Sequence, residues 1–189
     1  LGGSVITKKN KPFSVNFQAL ETLIDQIRRF HCKNNESTPT KLILVHGGGS
    51  FGHPLAKQYQ IHKGKNDNIP NQNIGMAKTH KAMQDLNKII LNKLLNYSIP
   101  AITLDSAGIF LSLNNTIQCT GMNQIKILLA LNIYPVLFGD ILFHNEEKLS
   151  GHYNYSILSG DIIIRLLIEN LQKSTKTSEM IDKVIFCMD

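Results

Sequence analysis

The chain has 189 residues, of which 42% are hydrophobic and 18% charged, with a formal net charge of +6. These values are typical of one sizeable globular core and exclude disorder throughout the chain. The basic residues are scattered, which disfavours nucleic-acid binding, and no apolar run approaches the ~20 residues of a membrane span. We therefore expect a cytoplasmic protein that binds neither nucleic acid nor membrane, with its three cysteines reduced and mostly buried.

The first half of the sequence predicts alternating strands and helices. Leu1 and residues 5–7 suggest the end of a first strand. Pro54 fits the first turn of a helix, where its missing N–H has no partner to lose. Helical spacing of apolar residues and short apolar runs define the other elements. The predicted helices cover 13–30, 54–59 and 75–97, the second predicted strand covers 42–45, and polar connections cover 34–40 and 62–73.

The second half continues the alternation. Two hairpins are expected, one about Asn114-Asn115 and one within residues 141–158. Ser159-Gly160-Asp161 opens a helix that extends through Leu171. The remaining predicted elements are strands over 99–104, 134–138 and 184–188 and a helix over 122–131. Strands separated by helices favour an α/β fold with a largely parallel sheet covered on both faces.

Glycine-rich loops follow several of the predicted strands. They are residues 2–4, 47–53, 139–140 and 159–161. Ligands of parallel sheets bind at the carboxyl ends of the strands, where these loops should meet. Together the loops offer backbone N–H groups, carboxylates and histidines, a combination that favours a site for a phosphorylated ligand.

The stretch "LVHGGGSFGH", residues 44–53, also allows a serine hydrolase, because residues 48–52 fit the G-x-S-x-G nucleophile elbow around Ser50. Asp140 with His144 or His152 could complete a triad. In that fold, however, the nucleophile and the HGGG oxyanion loop lie on different strands, and here one loop would have to supply both. The hydrolase is therefore the weaker hypothesis.

The two histidines of this stretch, His46 and His53, do not predict a metal centre, because no third ligand lies at suitable spacing. His46 ends a buried strand and fits a structural role. His53 lies where a helix begins, and a donor beside helix N–H groups is best explained by an anion between them.

The motifs "LGGSVITKK", "VHGGGSFGH", "PVLFGD" and "SGD", in this order, resemble the isopentenyl phosphate kinase family of the amino acid kinase superfamily. The helix "GMAKTHKAMQDLN" resembles the substrate-side helix of that family. The resemblance implies a three-layer α/β/α sandwich, phosphorylation of isopentenyl phosphate with ATP and Mg²⁺, and a homodimer. Fosfomycin kinases share the glycine-histidine stretch, and kinases of other small acids share the glycine turns, so both remain alternatives.

The resemblance also implies roles for individual residues. By position, the ATP-binding residues are Gly2, Gly3, Ser4, Gly49, Gly160 and Asp161, the substrate-binding residues are Gly48, His53 and Gly139, and the catalytic residues are Lys9, His53 and Asp161. No metal ligand is implied. The apolar residues Met76, Met83 and Leu86 fit either a pocket for the five-carbon tail or an ordinary helix core.

The sequence departs from the family pattern at both ends. The lysine that precedes the first glycine turn in the family has no counterpart, and the nucleotide-binding carboxyl-terminal part would begin near residue 184. Ile162 follows "SGD" where many relatives carry an acidic residue. We expect residues 1–189 to form one amino acid kinase domain, mainly its acceptor-binding lobe, with an incomplete donor site. A non-catalytic binding module of the same fold is the third alternative.

Overall fold

The computed structural model describes residues 1–34, 41–145, 154–172, 181 and 183–187. The helices are α1 (Gly3–Ile6), α2 (Phe17–Asn34), α3 (Gly49–Gln58), α4 (Gln72–Asn96), α5 (Ser106–Ile109), α6 (Met122–Ala130) and α7 (Gly160–Gln172), with a 3-10 turn at Ile61–Lys63. The strands are β1 (Leu44–His46), β2 (Ala101–Thr103), β3 (Phe110–Leu113), β4 (Thr116–Cys119), β5 (Tyr134–Phe138), β6 (Asp140–His144) and β7 (Asn154–Leu158).

Two sheets organise the fold. The first is parallel and three-stranded, in the order β1-β5-β2, with Val45 opposite Leu137 in the central pairing. The second is four-stranded, in the order β4-β3-β6-β7. Its central pair β3-β6 is parallel, while β3-β4 and β6-β7 are antiparallel. The expected parallel sheet is present, and the two predicted hairpins form the outer pairs of a mixed sheet beside it.

Helices cover both faces of the parallel sheet, which gives the expected three layers. Strand β5 is buried along its whole length, as a strand between two helical layers must be. Its Val136 joins an apolar cluster with residues of α2 and α4, whereas the next residue, Leu137, joins a second cluster with residues of α6 and α7. Successive side chains of a strand point to opposite faces, so one strand contributes to both cores.

The hairpin predicted about Asn114-Asn115 is confirmed. Both asparagines have positive φ, 48° and 58°, and they connect the antiparallel strands β3 and β4. Two consecutive residues of this conformation make a type I′ turn, whose twist matches that of the flanking strands. Asparagine tolerates this conformation better than most residues.

Some predicted elements are wrong. Residues 5–7 do not end a strand: Val5 and Ile6 lie in the four-residue helix α1, and Thr7 makes only an isolated bridge with Val15. Helix α2 begins at Phe17 rather than at residue 13, because Phe13 has a φ of 53°, which no helix accommodates. Residues 184–187 form no strand. Residue 188, residues 35–40 of the predicted connection and residues 146–153 of the predicted second hairpin lie outside the described residues.

The cysteines are free, as expected, but they are not mostly buried: Cys32 is exposed, and Cys119 and Cys187 are half-buried. Among the residues described, none of the helices combines the length and the apolar character needed to cross a membrane.

Candidate active site

A cleft of about 300 Å³ lies where β1 and β5 end. The glycine-rich loops after these strands meet there with the first turns of α1, α3 and α7. Nine of the ten residues assigned to the site from the sequence line this cleft: Gly2, Gly3, Ser4, Gly48, Gly49, His53, Gly139, Gly160 and Asp161. The four predicted loops therefore converge, and the two that follow β1 and β5 lie at the carboxyl ends of parallel strands, as expected.

The tenth residue, Lys9, does not line the cleft. It is exposed in a turn that follows Thr7, and the backbone of this turn is closed by a hydrogen bond from the Lys11 N–H to the Lys8 carbonyl, 3.1 Å. Its catalytic role stays a prediction.

Two of the glycine loops pack main chain against main chain. A Cβ on Gly3 would lie 2.3 Å from the Gly49 nitrogen. A Cβ on Gly49, whose φ is +46°, would lie 2.1 Å from Thr7 Oγ1 and 2.3 Å from the Gly3 carbonyl oxygen. No side chain fits between these loops, so the approach of the first glycine turn to the second requires glycine on both sides.

Two glycines at the start of α3, Gly48 and Gly49, line the cleft. Gly48 is the N-terminal cap residue and supplies no side-chain cap. Among the described residues, the amides of Gly48 and Gly49 donate no hydrogen bond to the protein. Unpaired N–H groups at the positive end of a ten-residue helix favour a bound anion.

His53 and Asp161 bring ionisable side chains to the same cleft. His53 lies in the first turns of α3, and Asp161 is the acidic residue of the first turn of α7. Both are exposed. A histidine beside unpaired amides adds a donor for an anionic oxygen, while the Asp161 carboxylate provides a counter-charge for a cation.

Ser50 does not face the cleft, which argues against the hydrolase. It is 6% exposed, and its Oγ donates to the carbonyl of Ser14 at 3.2 Å. Its amide donates to Thr7 Oγ1 at 2.9 Å. A nucleophile must present its oxygen to a substrate beside a general base. Asp140 pairs with His80 and not with His144, which bonds Ser156 Oγ at 2.9 Å. The other proposed triad histidine, His152, lies outside the described residues.

His46 has the structural role expected for it. It is 1% exposed, and its ring stacks on Phe138 with centroids 5.4 Å apart. Nδ1 lies 3.2 Å from the Gly47 carbonyl oxygen and Nε2 lies 3.3 Å from Asn87 Oδ1. Burial lowers the pKa of His46 to about 4, so the ring is neutral at pH 7 and contributes no charge to the cleft.

Sequence reasoning missed a group formed by His80, Asp105 and Asp140. His80 Nδ1 lies 2.8 Å from Asp140 Oδ2, and His80 Nε2 lies 3.8 Å from Asp105 Oδ2. The Asp140 side chain is fully buried, and its Oδ1 has no hydrogen-bond partner among the described residues. Burial raises the pKa of Asp140 to about 6, opposed by the neighbouring His80.

These three side chains are close enough to share a metal ion. However, each ring nitrogen of His80 faces a different carboxylate, which is the geometry of a bridge between the two rather than of ligands that point to one centre. Asp140 lines the cleft, and its contact with His80 opposes the rise of its pKa that burial causes. The available signal was Asp140 itself, which one residue, Gly139, separates from a predicted strand; nothing local indicated His80 as its partner.

Of the three apolar residues considered for a pocket, one reaches the cleft. Met83 lines it together with Thr79, one helical turn earlier. The Met83 sulfur packs on the second glycine loop, 2.7 Å from where a Cβ on Gly52 would lie. Leu86 belongs to the core between α4 and the sheet, and Met76 packs against the cluster around Ile61.

Glycine amides at helix N-termini, placed at strand ends beside a histidine and an aspartate, are typical of α/β proteins that bind phosphorylated ligands. The family model described as "Amino acid kinase family" matches residues 1–175, and the chain belongs to this family.

The curated relatives are more specific. The isopentenyl phosphate kinase of Methanocaldococcus jannaschii is 36% identical over 174 residues, which cover 91% of this chain and 64% of that protein. The isopentenyl phosphate kinase of Methanothermobacter thermautotrophicus is 29% identical over 168 residues, which cover 87% of this chain and 59% of that protein. The chain thus spans less than two thirds of the length of these relatives.

Solved structures of isopentenyl phosphate kinases also match this chain. An isopentenyl phosphate kinase structure matches with a TM-score of 0.73 at 29% identity, covering 87% of this chain and 63% of that one. A substrate complex of an isopentenyl phosphate kinase matches with a TM-score of 0.72 at 23% identity, covering 90% and 64% of the two chains, and shows the same fold. The amino acid kinase fold expected from the sequence is confirmed.

Proposed function

We propose that this chain supplies the acceptor-binding lobe of an enzyme that transfers the γ-phosphoryl group of ATP to isopentenyl phosphate, giving isopentenyl diphosphate and ADP. The observation that carries the proposal is the convergence of unpaired glycine amides and His53 in one cleft with an apolar wall. Two relatives of this chain, from Methanocaldococcus jannaschii and Methanothermobacter thermautotrophicus, are isopentenyl phosphate kinases, which supports the same acceptor here.

The chemistry requires little from the protein beyond position and charge. A phosphate monoester has a second pKa of about 6, so the attacking oxygen of the acceptor is already ionised near pH 7 and no general base is needed. The obstacle is the repulsion between two polyanions. Fixed N–H donors in a desolvated cleft lower this barrier because they need no reorganisation as charge develops.

Each residue then has a role. His53 and the Gly48 amide hold the acceptor phosphate, with Gly139 beside them. The turn formed by Gly2, Gly3 and Ser4, together with the Gly49 and Gly160 amides, receives the ATP phosphates. Lys9 stabilises charge on the transferred group, and Asp161 orients cationic groups around it. These assignments rest on the family resemblance and on the position of all but Lys9 along the cleft.

Magnesium fits the cleft as a companion of the nucleotide. Mg²⁺ in kinases is held by substrate phosphates and one or two carboxylates, and Asp161 is an exposed carboxylate among the lining residues. When bound, the ion neutralises charge on the ATP phosphates. A homodimer, expected from the resemblance, and a cytoplasmic location, expected from the composition of the sequence, complete the proposal.

The apolar residues of the cleft favour isopentenyl phosphate as the acceptor over fosfomycin and other small acids. Besides His53, the lining of the cleft includes the apolar residues Ala56, Met83, Ile157 and Ile164. Burying each methylene of a hydrocarbon tail contributes about 0.8 kcal/mol. A branched five-carbon tail therefore gains more from this wall than a small polar acid does.

The test is a coupled ADP-release assay of the full-length protein that contains this chain, with isopentenyl phosphate, fosfomycin and amino acids as acceptors. His53→Ala should raise KM for isopentenyl phosphate and lower kcat/KM on the order of 10²-fold. His53→Gln should be milder because an amide keeps a neutral donor. His62→Ala, which changes an exposed histidine outside the cleft, is the control. Faster turnover of fosfomycin or an amino acid than of isopentenyl phosphate would refute the substrate assignment.

A further inference from the structure

The two glycine loops of the cleft are joined by one buried hydroxyl group. Thr7 is 2% exposed. Its Oγ1 donates to the carbonyl of Gly3 at 2.6 Å and accepts from the amide of Ser50 at 2.9 Å. One end of this bridge lies in the first glycine turn, and the other lies at the second residue of α3, directly after Gly49.

We propose that Thr7 is a positioning residue, which holds the turn assigned to the ATP phosphates at a fixed distance from the loop assigned to the acceptor phosphate. This inference rests on the proposed function and adds to it a residue that touches neither ligand, because Thr7 is absent from the cleft lining. The proposal depends on the hydroxyl group and not on the methyl group of Thr7.

The hydrogen-bond partners of Thr7 Oγ1 explain why a hydroxyl group is needed at this position. The Gly3 carbonyl also accepts from the backbone N–H of Thr7, at 3.1 Å, so the turn closes on Thr7 from two directions. The Ser50 amide is one of the first N–H groups of α3, which no carbonyl of the helix can accept. Thr7 accepts from this amide, whereas the preceding amides of Gly48 and Gly49 have no protein acceptor among the described residues. The bridge therefore sets the spacing of the two loops.

Packing makes the bridge rigid. The Gly3 and Gly49 main chains touch so closely that a Cβ on either one would overlap the other loop. The segment after Thr7 returns to the same place, where the Phe13 N–H donates to the Ser50 carbonyl at 3.0 Å. The main-chain contact of Gly3 with Gly49 and the hydrogen bonds to Ser50 together hold the two loops as one unit. A phosphoryl donor and acceptor bound to them would meet at a separation set by the fold, and reactions of this kind lose about 100-fold in rate from a misplacement of ~1 Å.

The experiment compares Thr7→Val, which keeps the shape and removes the hydroxyl, with Thr7→Ser, which keeps the hydroxyl, in the full-length protein. Thr7→Val should lower kcat for isopentenyl phosphate by about 10- to 100-fold, with KM for ATP and for the acceptor changed by less than about threefold. Thr7→Ser should retain kcat within about threefold, because its hydroxyl can make the same two hydrogen bonds. Thr22→Val is the control, since the Thr22 hydroxyl is exposed and bonds only within α2.

A second measurement does not depend on activity. Hydrogen exchange of the Ser50 amide, followed by NMR, should be at least about tenfold faster in Thr7→Val than in the wild type or Thr7→Ser. Unchanged Ser50 exchange in Thr7→Val would overturn the proposal, as would equal loss of kcat in both variants or a loss confined to KM. A wild-type protein that phosphorylates no acceptor would instead reject the proposed function, and the exchange measurement would then decide alone whether Thr7 joins the loops.

Discussion

Replacing Gly49 with alanine tests the main-chain contact between the two glycine loops. Gly49 has a φ of +46°, and an added Cβ would lie 2.1 Å from Thr7 Oγ1 and 2.3 Å from the Gly3 carbonyl oxygen. The left-handed conformation costs an alanine roughly 1–2 kcal/mol. Overpacking adds about 1–3 kcal/mol, and the backbone oxygen cannot rotate away as the end of a side chain could. We expect Gly49→Ala to lower the free energy of unfolding by about 2–5 kcal/mol.

Gly108 offers the matched control. It is exposed in α5, its φ lies outside the left-handed region, and no atom lies within 4 Å of an added Cβ. Gly108→Ala should therefore be neutral or stabilise the protein by up to about 1 kcal/mol. Urea denaturation followed by circular dichroism measures both variants. If the two variants had free energies of unfolding within 1 kcal/mol of each other, roughly the uncertainty of such an extrapolation, the loops would not pack as described.

Three further predictions concern single side chains. Lys9→Ala should lower kcat by about 10-fold or more with little change in acceptor KM, as expected for a contact that strengthens in the transition state. Lys11→Ala in the same turn is the control, and equal kinetics of the two variants would remove Lys9 from the mechanism. Ser50→Ala should lose about 1 kcal/mol of stability with its hydrogen bond to Ser14 but keep kinase activity, whereas loss of an esterase activity would revive the hydrolase. The free energy of unfolding should fall on the order of 2 kcal/mol as the pH rises from 4 to 6. Burial raises the pKa of Asp140 from 3.8 to about 6, so in this range the folded state keeps a proton that the unfolded state has released. Asp140→Asn should flatten that part of the stability profile measured by urea denaturation, and an unchanged slope would assign it to another group.

The parallel sheet and the site loops could be predicted because their signals are local. A continuous apolar run such as residues 134–138 predicts a buried strand, and β5 covers the predicted residues. Glycines directly after such strands place the loops at one edge of the sheet, and the topology then brings them together. The Asn114-Asn115 turn was equally local.

The errors have tertiary causes. The apolar residues Val5 and Ile6 have the composition of a strand, but they lie in helix α1, where the preceding Leu1 carbonyl accepts from the Gly47 N–H of the second loop at 3.1 Å. The periodicity of α2 extends back to Phe13, yet the Phe13 N–H bonds to Ser50 and the ring packs edge-on against Phe51 with centroids 5.9 Å apart. These contacts span more than 30 positions of sequence and leave no local pattern.

The ion pair of His80 and Asp140 was hidden for the same reason, because its partners are 60 positions apart. The position of Lys9 outside the cleft could not be foreseen either, since a residue shortly after a glycine turn can follow the chain into the site or away from it.

Gly52 and Met83 form a contact unlike that of Gly3 and Gly49. Where two main chains meet, no second substitution can make room, so positions 3 and 49 should stay fixed as the sequence diverges. An alanine at position 52 would meet only the Met83 side chain, 2.7 Å from its sulfur, and a shorter residue at position 83 would relieve it. Positions 52 and 83 should therefore change together among homologues. Since Met83 also lines the cleft, each such paired change would alter the room for the tail of the acceptor, so acceptor size can evolve here while positions 3 and 49 stay fixed.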